Sequence, residues 1–295
     1  MKAASFDYVR AGSIGEICEL LAEHGPMSKL IAGGQSLVPM MAMRLTKPSL
    51  LIDINEVKEL KGISAQSDNL IIAGGTRQHQ IEASSEVKRF CPMVQKALFW
   101  VGHPQTRNRG TLGGSLVHAD PAAELPLVSV LLDAEILLQD ADGEESVAAS
   151  EFFLAPLVTA LRPDQCLVRV SFPIWSGAVG GSFHEVSPRR GDFAIVSAAA
   201  QIALDEAGNC SRVAVGLGGV AATPIRVFAV EEAILGGGLA KTQLHELARL
   251  AADEIDPEGD LHASAEYRRE VAYVLIERAL TDAVQEARAR MGASS

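Results

Sequence analysis

The first half of the chain contains Ala32-Gly33-Gly34-Gln35-Ser36 after a short apolar segment and Thr111-Leu112-Gly113-Gly114-Ser115 beside a second one. Paired glycines have no Cβ atom, so their backbone amides can approach phosphate oxygens, and the neighbouring hydroxyl groups can donate further hydrogen bonds. A single glycine pair is more often a plain turn. Two such blocks with polar residues in matching places predict a pair of loops that together hold a pyrophosphate.

The composition is that of a globular chain and argues against several functions. At 295 residues the chain is long enough for two or three domains, and 48% of its residues are hydrophobic. The formal net charge is -11 without any long basic stripe, so we expect no nucleic-acid partner. No secretory signal is visible, and the longest apolar stretch, residues 125–138, is interrupted by Asp133 and Glu135, so we expect no membrane span.

The four cysteines are scattered and form no Cys-x-x-Cys pair; they are Cys18, Cys91, Cys166 and Cys210. Iron-sulfur clusters and structural zinc sites need closely spaced cysteines, so neither is predicted in this chain. We expect buried free thiols, which are typical of a protein in the reducing cytoplasm.

Local patterns predict the order of the main elements. Ser13, with Glu16 three residues later, has the spacing of a helix cap, and apolar residues then recur at helical spacing, which predicts a helix over 13–24. Strand-like segments flank the first glycine block at 29–31 and 49–54, which is a βαβ-like start. Further strands are predicted at 69–73, 134–138, 166–172, 193–204 and 211–220, with a hairpin at Asp142-Gly143, a helix after Pro92 and a helical tail from about 229.

A third glycine-rich segment, Gly216-Leu217-Gly218-Gly219-Val220-Ala221, fits the dinucleotide-binding fingerprint of a Rossmann fold. In that fold a helix opens inside the glycine turn, and an acidic residue follows at the end of the next strand. Here Thr223-Pro224 postpones any helix, so we interpret the segment as a tight turn with close backbone packing.

The surroundings of the glycine blocks carry a family resemblance. The second block lies within His103-Pro104-Gln105-Thr106-Arg107-Asn108-Arg109-Gly110 and Leu116-Val117-His118-Ala119-Asp120-Pro121-Ala122-Ala123-Glu124, and Arg189-Arg190-Gly191-Asp192-Phe193 follows later. Together with Gly-Gly-Gln-Ser-Leu-Val-Pro in the first block, this resembles the medium, flavin-carrying subunit of the molybdenum hydroxylases. Aerobic carbon monoxide dehydrogenase and the bacterial xanthine, nicotine and caffeine dehydrogenases belong to that family.

The resemblance covers nearly the whole chain and implies an α+β fold. It predicts a two-lobed FAD-binding domain of the vanillyl-alcohol-oxidase (PCMH) type at 1–177, with lobes at about 1–55 and 56–177. A smaller C-terminal α+β domain is expected at 178–290.

The resemblance also assigns FAD-binding residues. The pyrophosphate contacts it implies fall in the two glycine blocks, on Ala32, Gly33, Gly34, Gln35, Ser36, Leu37, Gly110, Thr111, Gly113, Gly114 and Ser115. Glu124 is expected to bind the ribose hydroxyls of the adenosine half, with Asp120 nearby. Asp192 and Phe193 lie where the family packs a residue against the isoalloxazine ring, although the alternative for Phe193 is a plain core position.

Three positions depart from the family pattern. Ser115 stands where many relatives have Asn, and Gln35 replaces a frequent His. Glu185 stands where some branches have Lys, so no flavin-binding lysine is transferred to it. His103 and His118 are interpreted as loop residues, and Arg107 and Arg109 as surface or partner contacts.

The function implied is electron transfer. Neither a catalytic residue nor a metal ligand is expected in this chain. The partners implied are a large molybdopterin subunit that oxidises the substrate and a small subunit with two [2Fe-2S] clusters, commonly assembled as a dimer of heterotrimers. Two alternatives are a self-contained FAD-dependent oxidoreductase and a nucleotide-binding module without redox turnover.

Overall fold

The computed structural model describes residues 2–237, 239 and 241–294, which fold into three main sheets with helices around them. The first sheet is parallel, has the order β1-β3-β2, and comprises β1 (Asp7–Arg10), β2 (Ser28–Ile31) and β3 (Leu50–Asp53), connected through α1 (Ile14–His24) and α2 (Leu37–Ala42). The predicted first helix is confirmed, and Ser13 Oγ accepts a hydrogen bond from the backbone N–H of Glu16 at 3.2 Å. Sequence analysis did not identify β1.

The second sheet is antiparallel, with the order β4-β5-β10-β6-β7. Its strands are β4 (Ile63–Gln66), β5 (Asn69–Ala73), β6 (Glu135–Gln139), β7 (Glu144–Ala148) and β10 (Cys166–Pro173). Around it lie α3 (Gln78–Ala83), α4 (Ser85–Phe90), α5 (Pro92–Leu98), α6 (Pro104–Arg109), α7 (Leu112–His118), α8 (Glu124–Leu131), α9 (Ala149–Phe152) and the small pair β8 (Phe153–Ala155) and β9 (Val158–Thr159). The strands predicted here are confirmed, as are the hairpin and the helix after Pro92.

The third sheet is antiparallel and contains β11 (Ala178–Val186), β12 (Val196–Leu204), β13 (Cys210–Gly218) and β14 (Ile225–Arg226) in that order. The described chain continues through α10 (Phe228–Gly237), α11 (Lys241–Glu254) and the 30-residue helix α12 (Ala265–Ser294). The two predicted strands and the helical tail are therefore confirmed. The helix α12 packs so closely on β11 that a Cβ added at Gly180 would lie 2.1 Å from the backbone oxygen of Ala283.

Both faces of the third sheet are buried. Every residue of β12 is buried, and its side chains alternate between two hydrophobic cores. Ala199 and Ala203 pack into the core that the sheet shares with α5, α8 and the second sheet. Ala198 and Ile202 pack into the core beneath the C-terminal helices. The sheet thus joins the two halves of the chain.

Candidate cofactor site

The first glycine block forms the loop between β2 and α2. Gly34 has φ +72°, a conformation that favours glycine. The first turn of α2 closes through hydrogen bonds from Val38 N to Gly34 O and from Met40 N to Ser36 O, both 3.1 Å. The backbone N–H groups of residues 33–37 have no acceptor among the described residues. Five successive free amide donors at a helix start form a concave site suited to a phosphate anion.

The second glycine block opens α7, but its amides are already engaged. Leu112 N donates to Thr76 O at 3.1 Å, and Gly113 N donates to Gly74 O at 2.8 Å. Thr111 Oγ1 caps the helix by accepting from Gly114 N at 3.0 Å. Gly114 itself is exposed. The block therefore offers a ligand an open backbone surface and hydroxyl groups rather than a run of free amides.

The two glycine blocks lie against each other. A Cβ added at Gly33 would lie 2.2 Å from the backbone oxygen of Arg109 and 3.0 Å from the Cα of Gly110. Real Cβ atoms do not come this close to backbone atoms, so only glycine allows this contact. The structure thus brings together the two blocks that the sequence separates by about 75 residues.

A third segment of the site was missed by sequence analysis. Gly74 and Gly75 follow β5 and pass beneath the second block, where a Cβ added at Gly113 would lie 2.8 Å from Gly74 O. The next two residues, Thr76 and Arg77, form backbone contacts to Leu112 and Thr111. The signal was available, since Gly74-Gly75 is a glycine pair directly after a predicted strand.

A cavity of about 160 Å³ opens beside the first block, where β2 and β3 end. Its lining residues are Ala32, Ile54, Asn55, Lys61, Gly75, Arg77 and Gln80. The carboxyl ends of parallel strands are the usual place for a ligand in an open sheet. The cavity therefore belongs to the same site as the glycine loops, and its two cations are Lys61 and Arg77.

Asp120 and Glu124 lie on the loop between α7 and α8 and at the start of α8. Asp120 Oδ1 accepts a hydrogen bond from Ala122 N at 2.9 Å, while the Glu124 side chain is buried. Burial raises the pKa of the Glu124 carboxyl to about 7, with a smaller contribution from the charge of Asp120. Assignment of Glu124 to ribose hydroxyls remains a prediction.

The Gly216–Ala221 segment packs on this same loop rather than opening a helix. Gly219 N donates to Pro121 O at 3.1 Å. Gly219 has φ +75°, and a Cβ there would lie 2.5 Å from Ile195 O. The interpretation as a tight turn with close backbone packing is confirmed.

A second buried carboxyl group, that of Glu185 on β11, lies close to Glu124. Neither carboxyl oxygen of Glu185 has a hydrogen-bond partner within the described ranges, and the hydroxyl of its cross-strand neighbour Ser197 also has none. Burial, and then the charge of Glu124, raise the pKa of Glu185 to about 8. Glu185 borders an open cavity of about 430 Å³ whose lining includes Phe99, Trp100 and Arg190.

Asp192 and Phe193 lie on the loop between β11 and β12. The loop reaches the start of α6, because a Cβ added at Gly191 would lie 2.7 Å from Cε1 of His103. The six residues of α6 span about 9 Å, and Gly110 of the second block follows them. Phe193 is 67% exposed, which excludes the core alternative. Asp192 pairs with Arg189 at 3.4 Å, so its carboxylate is engaged on its own loop.

The remaining polar candidates have ordinary structural surroundings. Arg107 donates to Glu82 at 2.9 Å and to the carbonyl oxygen of Val101 at 2.9 Å, so it anchors α6 rather than serving as a free surface charge. All four cysteines are free thiols. Within residues 2–237, 239 and 241–294, no cluster of His, Cys, Asp and Glu side chains could hold a metal ion.

Comparisons with known proteins agree with this geometry. Residues 4–175 match a family model described as the FAD binding domain in molybdopterin dehydrogenase, and residues 181–283 match the CO dehydrogenase flavoprotein C-terminal domain. Both halves of the chain are therefore those of a dehydrogenase flavoprotein.

Among curated proteins, the chain is 40% identical over 288 residues to the 6-hydroxypseudooxynicotine dehydrogenase complex subunit alpha of Paenarthrobacter nicotinovorans, covering 98% of this chain and 97% of that one. It is 32% identical over 279 residues to the carbon monoxide dehydrogenase medium chain of Hydrogenophaga pseudoflava, covering 94% and 96%.

Solved structures show the same fold. Carbon monoxide dehydrogenase from Hydrogenophaga pseudoflava superimposes with a TM-score of 0.93 at 32% identity, over 97% of this chain and 99% of that one. Quinoline 2-oxidoreductase from Pseudomonas putida 86 gives a TM-score of 0.92 at 34% identity, over 97% and 99%. The chain belongs to the family of FAD-binding subunits of the molybdenum hydroxylases. The predicted family and the two-part α+β fold class are confirmed.

Proposed function

We propose that this chain is the electron-transferring FAD subunit of a heterotrimeric molybdenum hydroxylase. Relatives that align over nearly their whole length are subunits or medium chains of dehydrogenases, including the carbon monoxide dehydrogenase medium chain of Hydrogenophaga pseudoflava. By this analogy a large molybdopterin subunit oxidises the substrate and a small subunit with two [2Fe-2S] clusters delivers electrons to this chain. The complex is proposed to pair into a dimer of heterotrimers.

The structural observation that carries the proposal is the run of free amides at residues 33–37 against the open second block. FAD carries a pyrophosphate, and a row of unpaired backbone donors matches its charge without needing a basic stripe. The residues present therefore fit the cofactor that the family implies. Bound FAD supplies the redox chemistry, since it can accept electrons from one partner and release them to another.

The chain's own residues then have distinct proposed roles. Residues 32–37 and 110–115 would hold the pyrophosphate, Glu124 and Asp120 would bind the adenosine half, and Phe193, whose ring is exposed, would contact the isoalloxazine. Since Phe193 lies on a loop of the third sheet, both halves of the chain would contribute to one cofactor site. No side chain here has to act as an acid or base for substrate.

The cellular location is proposed to be the cytoplasm. Its support is the free state of the four cysteines, three of which are buried. Separately, none of the helices in the described part of the chain has the length and apolar character needed to cross a membrane.

The test is to purify this chain together with the proposed large and small partner subunits and to record the visible absorption spectrum. Flavin absorption that bleaches with dithionite separates the two flavin hypotheses from a nucleotide-binding module without redox turnover. Co-purification of iron and molybdenum, with flavin reduction by substrate only in the complex, separates the subunit from a self-contained oxidoreductase. Substrate-dependent reduction of the isolated chain at the rate of the complex would contradict the proposal.

A further inference from the structure

Arg77 lies between the two glycine blocks and hydrogen-bonds toward both. Its guanidinium donates to the carbonyl oxygen of Arg109, the residue before Gly110, and to Oδ1 of Asn55. Asn55 follows β3, and its Nδ2 donates to the carbonyl oxygen of Ala32 at 3.0 Å. A continuous chain of hydrogen bonds therefore joins the first block to the residue that precedes the second.

The side chain of Asn55 is itself fixed. Asp53 Oδ1 accepts from Asn55 Nδ2 at 2.6 Å and from its backbone N–H at 2.8 Å. Asp53 is buried at the end of β3, so the amide of Asn55 is held against the sheet. The bridge from Arg77 is thus anchored on a strand rather than on a free loop.

The cations around this bridge have no carboxylate in ion-pair contact among the described residues. Arg77 is half-buried and forms no ion pair with a carboxylate among the described residues. Burial and then the charge of Arg109 lower its pKa, and the charge of Asp53 offsets only part of this effect. Arg109 and Lys61 likewise form no ion pair in the described ranges. Three unpaired cations beside five free amides, in a chain of net charge -11, indicate a place for an anion.

We propose that Arg77 is a positioning residue that fixes the spacing of the two glycine blocks and adds positive charge to the pyrophosphate site of FAD. The inference rests on the proposed function and adds a residue outside both glycine blocks. An arginine suits this place because its planar fork presents donors in fixed, different directions to two oxygen atoms, whereas the ammonium of lysine is a compact charge on a flexible stem and does not fix their spacing.

The experiment uses the full-length chain, stripped of FAD and titrated with FAD while flavin fluorescence is followed. Arg77→Met should weaken FAD binding by about tenfold or more, because both the bridge and the charge are lost. Arg77→Lys should fall between wild type and Arg77→Met, since it keeps the charge alone. Arg249→Met, at an exposed position on α11, is the matched control and should bind FAD like wild type.

Two further readouts separate positioning from general stability. The melting temperature of FAD-free Arg77→Met should fall by only a few degrees relative to FAD-free wild type, because two hydrogen bonds but no ion pair are lost. Asn55→Leu combined with Arg77→Met should weaken FAD binding little more than Arg77→Met alone, since Asn55 acts only through the bridge that Arg77→Met has already removed. FAD affinity should also depend less on salt in Arg77→Met than in wild type.

FAD affinity of Arg77→Met within twofold of wild type would overturn the inference and leave the proposed function intact. A fall in the FAD-free melting temperature that accounts for the lost affinity would overturn it too, because Arg77 would then be only a structural residue. Absence of FAD binding in wild type would reject the proposed function and this inference together.

Discussion

Replacing Glu185 by Gln should change how the stability of this protein depends on pH. The Glu185 carboxyl is buried without a hydrogen-bond partner in the described structure, and its pKa is raised to about 8. In an unfolded chain a glutamate titrates near 4.3. Between these values the folded state binds more protons than the unfolded state, so the free energy of unfolding must decrease as pH rises from about 4.5 to about 8.

The magnitude follows from the size of this shift. The free energy of unfolding changes by about 1.4 kcal/mol per pH unit while the folded chain binds one proton more than the unfolded chain. For Glu185 this difference in bound protons amounts to about 2.6 pH units between pH 5 and pH 8. Glu185 alone should therefore lower the free energy of unfolding by about 3.5 kcal/mol across that interval. Glu124, with its pKa raised to about 7, should act in the same direction over a narrower range.

The assay is chemical unfolding of the FAD-free full-length chain at pH 5 and pH 8, followed by tryptophan fluorescence. Trp100 borders the same cavity as Glu185 and reports on that region. Between the two pH values the free energy of unfolding of Glu185→Gln should fall by about 3.5 kcal/mol less than that of wild type. Glu19→Gln, at an exposed position on α1, controls for removal of one negative charge. Parallel pH dependence in wild type and Glu185→Gln would refute the reasoning, because Glu185 would then be ionised in the folded protein at neutral pH.

Three further substitutions test the packing and the site. Gly33→Ala places its Cβ 2.2 Å from Arg109 O and should lower the free energy of unfolding by about 2–3 kcal/mol and remove most of the bound flavin. Gly12→Ala, at an open position, is the control. Equal flavin per polypeptide in Gly33→Ala and wild type would contradict the contact. Gly180→Ala places its Cβ 2.1 Å from a carbonyl oxygen of α12 and should lower the free energy of unfolding by about 3 kcal/mol. An unchanged melting temperature would show instead that the helix can move away. Phe193→Ala removes an exposed ring, so the free energy of unfolding should stay within about 0.5 kcal/mol of wild type. The flavin absorption maximum and the rate of flavin reoxidation by oxygen should both change. Unchanged spectra and rates would show that Phe193 does not contact the flavin.

Local sequence signals predicted most elements of this fold. The helix that starts after Ser13 and the strands before and after the first glycine block have clear start and stop residues, which act within a few positions of the chain. The short edge strand β1 lacks such signals, since it pairs only with β3 and most of its residues are exposed. Its existence depends on a partner some forty residues away.

The site was only partly predictable, for a related reason. The glycine blocks were visible because their residue types are unusual, but the bond from Arg77 to Asn55 spans 22 residues and that from Arg77 to Arg109 spans 32. Neither separation along the sequence corresponds to a helix or strand periodicity or to a known motif, so the sequence does not predict these contacts. The sequence explains Gly33 by the close approach of a phosphate, whereas the structure shows that the backbone of Arg109 already requires a glycine there. Similarly, the proximity of Glu124 and Glu185 arises only when the third sheet packs on α8.

The third sheet has implications for recombination between relatives. The family models meet near residue 180, which looks like a natural crossover point for a hybrid gene. Yet Ala199 of β12 belongs to the core of the N-terminal half, while Ala198 and Ala200, its immediate neighbours, belong to the core beneath α12. A crossover at this junction would set one parent's α8 against the other parent's β12 and would mismatch small side chains that fit only their own neighbours. Viable hybrids should therefore be those that inherit α8, β12 and α12 from the same parent, even though a long stretch of sequence separates these three elements.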